Sequence, residues 1–140
     1  MKIKISDVVS SGLEYQDQAM PKDLDIVEDF IDLDKPVAVQ GRLTRVNDFI
    51  LAKITVTYTG VIVCARCLVT VKLEKTAAYE FDLDFVPGDR FVDLGRYVRE
   101  ELLLTYESRT LCREDCRGIC PDCGANLNEE ACECKNKTGE

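Results

Sequence analysis

The side chains with the most distinctive chemistry in this 140-residue chain are its eight cysteines. Six of them lie between residues 109 and 140, and the other two form a Cys-x2-Cys pair near the middle of the chain. A Cys-x2-Cys turn brings two thiolates to one ion, and a tetrahedral zinc ion takes two such pairs. Two zinc ions are therefore predicted, and their ligands are Cys64, Cys67, Cys112, Cys116, Cys120, Cys123, Cys132 and Cys134.

The segment Cys120–Gly124 has the sequence of a zinc-binding turn. Pro121 stiffens it, and Gly124 lets the backbone bend so that its N–H groups approach the sulfur atoms. The chain has no histidine, which excludes a mixed cysteine and histidine site. We expect the first four cysteines to share one ion, which would tie the C-terminal tail to the preceding strands. The last four would then close the second site locally.

Other uses of the cysteines fit the sequence less well. Residues 1–9 lack the continuous apolar stretch of a secretory signal, so we expect a cytoplasmic protein whose thiols stay reduced. A redox pair would lie where a strand meets a helix, whereas Cys64 and Cys67 fall between two predicted strands. Burial of this pair in the core, without metal, is a simpler use. An iron–sulfur cluster remains open, because thiolates bind both metals.

Composition and charge describe an ordinary folded protein with an acidic surface. Hydrophobic residues make up 46% of the chain and charged residues 31%, which is enough apolar side chain for one compact core. No apolar run reaches the length of about 20 residues that a membrane-spanning helix needs. The net charge of −8 opposes broad electrostatic binding to nucleic acid. We therefore expect no membrane contact and no unspecific binding of RNA by the whole surface.

Catalytic signals are scarce. Without histidine the chain lacks the commonest general base, and it has no phosphate-binding loop. Glu80, Asp82 and Asp84 project from one face of a predicted strand and could bind a divalent cation, as in a metal-dependent RNA-processing enzyme. A solvent-facing strand explains this row better, because alternation alone places charges there. Four cysteines on each zinc ion leave no open coordination position, so no enzyme activity and no small-molecule substrate are expected.

The elements that must position these side chains are most distinct between residues 36 and 86. Apolar and polar residues alternate there in successive stretches, and Asn47-Asp48 offers a turn after the first. Alternation with one wet face predicts antiparallel strands. The alternating apolar positions are Val37, Val39, Gly41, Leu43, Ile50, Ala52, Ile54, Val56, Tyr58, Val69, Val71, Leu73, Tyr79, Phe81, Leu83 and Phe85.

The pattern changes to a helical period over residues 93–107, where Asp93 can cap the N-terminus. This helix is expected to cover the apolar face of the sheet. Residues 3–9 predict a short strand, and the acidic segment 23–34 fits more than one register, so its structure is left open. The helix face consists of Leu94, Tyr97, Val98, Leu102 and Thr105.

The sequence thus predicts an α+β fold, namely an antiparallel meander of long strands covered by one main helix, with a cysteine-rich zinc-binding C-terminal tail. One domain over residues 1–140 is expected, with the sheet and helix in 1–108 and the zinc-binding tail in 109–140. The tail contains almost no aliphatic residues, so its order must come from something other than a hydrophobic core.

Three motifs, in this order, resemble a known family. The first is Cys64-Ala-Arg-Cys67-Leu68 after a long strand. The second is the stretch VDLGRYVREELLL from Val92 to Leu104, and the third is LCREDCRGICPDCGANLN from Leu111 to Asn128. Together they resemble the YceD family, which is named for the accumulation of large-subunit ribosomal RNA. The resemblance covers roughly residues 36–134, and the order of its motifs is specific.

The resemblance implies a bacterial or organellar factor that is needed for maturation or accumulation of large-subunit ribosomal RNA, without a known catalytic activity. We expect it to bind the large-subunit RNA precursor or a basic ribosomal protein. A structural zinc module that recruits an unrelated protein is another interpretation. Arginines near the cysteines offset thiolate charge or form a small basic contact surface. These candidate contact residues are Arg66, Arg109, Arg113 and Arg117.

Overall fold

A computed structural model describes residues 1–105, 110–132 and 134 of the chain. Its internal contacts divide the chain into two compact units. Unit 1 consists of Met1–Gly60 and Glu74–Tyr106, and unit 2 consists of Val61–Leu73 and Glu107–Glu140. The turn that carries the first cysteine pair therefore belongs to the same unit as the cysteine-rich C-terminal segment.

The strands form a two-stranded ribbon and a four-stranded sheet. They are β1 (Lys2–Lys4), β2 (Leu13–Ala19), β3 (Val37–Val46), β4 (Phe49–Val63), β5 (Thr70–Asp84) and β6 (Phe91–Asp93). The ribbon pairs β1 with β6, and the sheet has the order β2-β3-β4-β5, so that strands consecutive in sequence are neighbours. The pairs β1–β6, β2–β3 and β3–β4 are antiparallel. The meander of long antiparallel strands is therefore confirmed.

Alternation along β3 and β4 creates the buried face of the sheet. Facing residues such as Val39 and Val56 are both fully buried, and they lie opposite each other in the β3–β4 register. Asn47 and Asp48 connect the two strands as a two-residue turn, and the φ of Asn47 is 52°. Asparagine tolerates this left-handed conformation, which the tight hairpin turn requires. The predicted turn is confirmed.

Burial along β5 is uneven. Phe81 and Leu83 are buried as expected, and Tyr79 and Phe85 pack partly against the same core. Near the beginning of the strand, Leu73 is 41% exposed. The apolar alternation at this end of β5 is therefore not accompanied by burial, and it leaves apolar side chains in contact with solvent.

The first residues of the chain differ from the expected strand over residues 3–9. Strand β1 already ends at Lys4, because its partner β6 has three residues. A 3-10 turn over Ile5–Asp7 follows, and the Ile5 N–H donates to the Arg90 carbonyl at 2.9 Å. The side chain of Ile5 is buried in the turn. The predicted strand is thus too long.

Strand β2 has no counterpart in the sequence-based prediction. Its apolar alternation stops after Leu13 and Tyr15, because Asp17 occupies the next position on that face. The acidic segment 23–34, which was left open, contains no α-helix, although a 3-10 turn over Pro21–Leu24 includes its first two residues. Ile26 and Ile31 are nevertheless buried in the core of unit 1. Irregular backbone places them there, so no period is visible in the sequence.

The single α-helix of the described residues, α1, spans Leu94–Leu104. Asp93 is its N-cap, and its carboxylate accepts a hydrogen bond at 3.0 Å from the amide of the second helical residue. Leu94, Val98 and Leu102 are buried in the same cluster as the inward residues of the sheet. The helix therefore packs on the apolar face of the sheet, as expected. The end that was expected at residue 107 lies outside the described residues. None of the described residues belongs to a helix long and apolar enough to cross a membrane.

We predict that Gly41→Ala destabilises unit 1. Gly41 faces Ile54 in the β3–β4 register, and a Cβ atom at this position would lie 2.7 Å from the Ile54 Cα, closer than real contacts allow. Because the obstacle is backbone, the strands would have to move apart. We expect the free energy of unfolding to fall by about 2 kcal/mol, measured by urea denaturation.

The matched control is Gln40→Ala, at the neighbouring exposed position of the same strand. It should change the free energy of unfolding by less than about 0.5 kcal/mol. Equal stability of Gly41→Ala and the natural chain would contradict the close approach of β3 and β4.

Candidate metal centre

The first cysteine group brings together residues that are far apart in the sequence. The Sγ atoms of Cys64, Cys67, Cys112 and Cys116 all lie within 4.8 Å of one another. Cys64 Sγ is 3.6 Å from Cys116 Sγ, and Cys67 Sγ is 3.6 Å from Cys112 Sγ. Three of the four side chains are buried, and Cys112 is half-buried. This grouping is the one expected from the spacing, and metal binding by these thiols stays a prediction.

Hydrogen bonds within unit 2, from the backbone and from the Arg66 side chain, hold the two segments of this group side by side. Cys64 forms a parallel bridge with Thr110, and the Ala65 N–H donates to the Thr110 carbonyl at 2.9 Å. The Arg66 guanidinium donates to the Cys116 carbonyl at 3.0 Å. These hydrogen bonds, which involve no ion, therefore fix the segment on both sides of Cys112 next to the turn at Cys64.

The second group contains the remaining four cysteines and lies nearer to solvent. The Sγ atoms of Cys120, Cys123, Cys132 and Cys134 also lie within 4.8 Å of one another. The Sγ distance is 3.5 Å between Cys123 and Cys132 and 3.1 Å between Cys132 and Cys120. The Cys134 N–H donates to Cys132 Sγ at 3.2 Å. Cys120 is buried, whereas Cys123 is exposed.

The two Cys-x2-Cys turns have the same backbone conformation. The Leu68 amide donates to the Cys64 carbonyl at 3.0 Å, and the Gly124 amide donates to the Cys120 carbonyl at 2.9 Å. In both turns the first cysteine donates its own amide, at 2.9 Å, to the carbonyl five residues further on. The φ angles of Leu68 and Gly124 are 62° and 75°. Leucine rarely adopts a positive φ, so the first turn keeps this geometry at a conformational cost.

Hydrogen bonds from these turns favour the thiolate form that binds metals. The backbone N–H of Cys67 lowers the pKa of Cys64 to about 5. The backbone N–H of Cys123, followed by the Cys132 thiol, lowers the pKa of Cys120 to about 7. The first cysteine of each turn is therefore prepared as an anionic ligand by the backbone around it.

Other thiols of each group keep their protons. Burial, and then the neighbouring Cys67 thiol, raises the pKa of Cys112 to about 12. The hydrogen bond with Cys120 raises the pKa of Cys132 to about 12. Four thiolates this close repel one another, so they do not all ionise without a compensating cation. A divalent cation would displace the remaining protons as it binds.

Asn128 belongs to the site although cysteine spacing does not reveal it. Its Nδ2 donates to Cys116 Sγ at 3.3 Å and to Asn126 Oδ1 at 3.0 Å, and its Oδ1 accepts from the Arg117 N–H at 2.9 Å. The hydrogen bond from this amide lowers the pKa of Cys116. Asn128 thus orients a thiolate of the first group from the segment that carries the second. In the sequence, Asn126 and Asn128 look like turn residues, which is a weak signal for this role.

The distances between sulfur atoms fit one tetrahedral ion in each group. Four ligands at about 2.3 Å from zinc place neighbouring sulfur atoms about 3.8 Å apart. Three of the recorded distances, 3.5 to 3.6 Å, are close to this value, and the fourth, 3.1 Å, is shorter. All are far longer than the disulfide bond of about 2.05 Å, and the eight thiols are free. In an iron–sulfur cluster the four cysteines are divided among two or four iron atoms, so at least some of their sulfur atoms lie further apart than around a single ion.

The arginines expected to contact a partner differ in their surroundings. The Arg66 side chain is bound to the Cys116 carbonyl. Arg113 is exposed and lies 3.9 Å from Asp115, and Arg117 is also exposed. Arg109 lies outside the described residues. Arg66, Arg113 and Arg117 are therefore all exposed, and Arg66 differs from the other two in its hydrogen bond to the backbone beside the cysteines.

The acidic row on β5 does not form a cation site. Glu80, Asp82 and Asp84 are all exposed on the wet face of the strand. Within residues 1–105, 110–132 and 134, the groups of three or more ligating side chains close enough to share an ion are the two cysteine groups. The three carboxylates point away from the core, as alternation along the strand requires.

Comparison with known proteins agrees with the motifs. The family model described as "Large ribosomal RNA subunit accumulation protein YceD" matches residues 72–140. The "Large ribosomal RNA subunit accumulation protein YCED homolog 1, chloroplastic" of Arabidopsis thaliana is 34% identical over 56 residues, which are 40% of this chain and 17% of that protein. The protein of the same name in Zea mays is 35% identical over 54 residues, 38% of this chain and 18% of that protein. The chain thus spans less than a fifth of the length of these plant relatives.

A third relative extends the similarity beyond the C-terminal half. An uncharacterised protein of Mycobacterium leprae (strain TN) is 28% identical over 107 residues, which cover 66% of this chain and 49% of that protein. No solved structure matches the chain. Residues 72–140 of this chain, which contain six of its eight cysteines, match the YceD family.

Proposed function

We propose that this chain is a non-enzymatic zinc-binding factor that assists the maturation and accumulation of large-subunit ribosomal RNA. The observation that carries the proposal is the convergence of eight thiols into two groups of four within a chain of this family. The names of the plant relatives refer to accumulation of the large ribosomal RNA subunit. We place the activity in the cytoplasm, where thiols stay reduced and available to metal.

Zinc is the ion that the donor set favours. All-thiolate tetrahedral sites are typical of structural zinc, and the spacing of the sulfur atoms suits a single ion better than a cluster. Zinc that is bound by four thiolates cross-links the segments that supply them and offsets their negative charge. Other residues of the chain position the thiolates. The amides of the two turns and the Asn128 side chain hold the thiolates in place.

Binding rather than catalysis is the mode that we propose. Two sites with four thiolates each have no position left for a substrate or a reactive water. The chain has no histidine, and the exposed row at Glu80, Asp82 and Asp84 does not converge. The partner is the precursor of large-subunit RNA or a basic ribosomal protein. A basic protein suits the net charge of −8, since opposite charges accelerate association.

The first prediction of this proposal is two zinc ions per chain. Elemental analysis of anaerobically purified protein measures the metal content directly. Removal of the metal should unfold unit 2, because little apolar area is buried there besides the thiols, and leave the larger core of unit 1 folded. One zinc ion or none, or iron with visible absorbance, would contradict the assignment.

The grouping is tested by single substitutions. Cys64→Ser should remove one ion and expose both the turn at residues 61–73 and the segment around Cys112 to protease, because that ion joins them. Cys132→Ser should remove the other ion and leave the first group protected. The matched control is Ala65→Ser, an exposed position in the same turn, which should keep both ions. Protease cleavage near Cys112 after Cys132→Ser would show that the two sites do not form independently.

A second prediction concerns Asn128, which positions the Cys116 thiolate and does not itself bind the ion. Asn128→Ala should weaken binding of the first ion about 10- to 100-fold, because the thiolate loses its hydrogen-bond donor. Competition with a chromophoric chelator measures the affinity of each ion. Glu129→Ala, at the exposed neighbouring position, should leave both affinities unchanged. Unchanged metal affinity of Asn128→Ala would remove Asn128 from the site.

A third prediction concerns the cellular role. Depletion of the protein should lower mature large-subunit RNA while small-subunit RNA stays near normal, which quantitative RNA blotting measures. The double variant Asp82→Asn and Asp84→Asn should restore accumulation, whereas Cys64→Ser should not. Equal loss of both RNAs would overturn the proposal. Failure of the Asp82 and Asp84 variant alone would favour a metal-dependent RNA-processing enzyme instead.

A further inference from the structure

We propose that unit 1 carries a second binding site, a cleft that takes single-stranded RNA. The cleft has a volume of about 650 Å³ and is lined by the side chains of three cations and two aromatic rings. We call it the Phe91 cleft, and its defining residues are Lys4, Arg45, Phe85, Arg90 and Phe91. It lies within unit 1 and shares no residue with either cysteine group.

Arg45 occupies a position where the strand pattern calls for an apolar residue. It follows Val39 and Leu43 on the inward-facing side of β3, and both of these are fully buried. The guanidinium of Arg45 lies 5.2 Å from the centre of the Phe85 ring, which is the next inward residue after β5. A cation–π contact of this kind fixes the plane of the guanidinium while its N–H edge stays available for a phosphate.

Phe91 supplies an exposed aromatic face beside a second cation. It pairs directly with Lys4 in the β1–β6 ribbon, so the two side chains emerge next to each other on the same face. The Phe91 side chain is 55% exposed, whereas its neighbour Val92 is buried. A phenylalanine that remains this exposed on a strand offers a flat surface on which a base can stack.

The charge of the cleft is opposite to that of the chain. Besides its three cations, the lining contains one acidic residue, Asp89. The Asp89 carboxylate accepts a hydrogen bond from the Val86 N–H at 3.0 Å, so it is engaged by its own turn. Within the described part of the chain, Lys4, Arg45 and Arg90 form no ion pair with a carboxylate. Their charges are therefore available to an anionic ligand, in a chain with a net charge of −8.

Cations next to an exposed ring match a nucleotide better than an acidic peptide. Each nucleotide of a single strand presents a planar base and a phosphate together, and proteins bind such strands by stacking bases on aromatic rings and pairing phosphates with Arg and Lys. An acidic peptide supplies the charge and leaves the ring at Phe91 unused. The inference deepens the proposed function by making RNA a direct partner, and it rests on that function only for the source of the RNA.

The test uses the full chain in its metal-bound form and a fluorescently labelled, short single-stranded RNA of mixed sequence. Fluorescence anisotropy between about 50 and 200 mM salt should show binding that weakens with a slope near −2 in log affinity against log salt, as three phosphate contacts on a single strand require. Phe91→Leu should lower the affinity about fivefold or more, because it removes the stacking surface. Phe91→Tyr should retain the affinity, because it keeps the ring.

Two further variants separate the cleft from general electrostatics. Arg90→Ala should lower the affinity and reduce the salt slope by about 0.7. Lys53→Ala removes an exposed cation on β4, outside the cleft, and should change the affinity less than twofold. Circular dichroism of each variant confirms that the fold is kept.

Three outcomes would overturn the inference. The natural chain shows no binding of the RNA at low salt, or Phe91→Leu and Arg90→Ala bind as well as the natural chain. In the third, a poly-glutamate peptide competes for the site as well as RNA does, and Phe91→Leu leaves the affinity of both unchanged, which identifies a site for acidic peptides. None of these outcomes affects the result of the depletion experiment, which tests the proposed function separately. Normal accumulation of large-subunit RNA on depletion, together with RNA binding in the cleft, would instead contradict the proposed function alone.

Discussion

Unit 2 depends on the convergence of four sulfur atoms that come from two distant parts of the chain and lie within 4.8 Å of one another. Besides its cysteines, the apolar cluster around them contains, in the described residues, the partly buried Leu111 and Ile119. Hydrophobic burial on this scale stabilises little, whereas binding of a structural zinc ion contributes on the order of 10 kcal/mol to folding. Under the proposed function, the order of unit 2 therefore depends on the ion that compensates the charge of its thiols.

The need to bring the thiols together explains a backbone conformation at Leu68 that is unfavourable for leucine. Leu68 has a φ of 62°, a conformation that Gly124 adopts without strain at the corresponding place in the other turn. Both turns must aim amide groups at the sulfur of their first cysteine, and the positive φ closes that turn. The side chain of Asn128 serves the same purpose, since its amide donates a hydrogen bond to the sulfur of Cys116, which lies outside both turns. The arrangement of hydrogen bonds around the thiols thus outweighs local backbone preference here.

The sequence predicts those parts of the molecule whose signal is periodic or local. Three features depend on only a few neighbouring residues, and the structure contains all of them. They are the alternation along β3 and β4, the turn at Asn47 and the helix cap at Asp93. Strand β2 could not be found in this way, because it owes its place to pairing with β3 along its whole length. Ile26 is buried from irregular backbone, which has no period to detect.

The candidate site likewise has features that the sequence predicts and features that only the fold reveals. The spacing of the cysteines reveals which thiols are near neighbours, because a two-residue separation limits where both can point. Two features depend on the fold and stay hidden in the sequence. One is the hydrogen bond from Asn128 to Cys116, and the other is the meeting of Arg45 with Phe85, since their separation in sequence gives no sign that β3 and β5 end at the same place.

The acidic surface gives a reason why a partner would be bound at small, defined places. A net charge of −8 repels RNA at distances up to the Debye length, about 8 Å at physiological salt, and so disfavours binding to an arbitrary part of the surface. Closer contacts are less screened, and there a few cations such as Arg45 and Arg90 can outweigh the average field. Attraction is then confined to the place where the cations stand together beside Phe91. A factor that meets many RNA segments during ribosome assembly would gain selectivity from this arrangement, because general repulsion weakens every contact except one that matches the cleft.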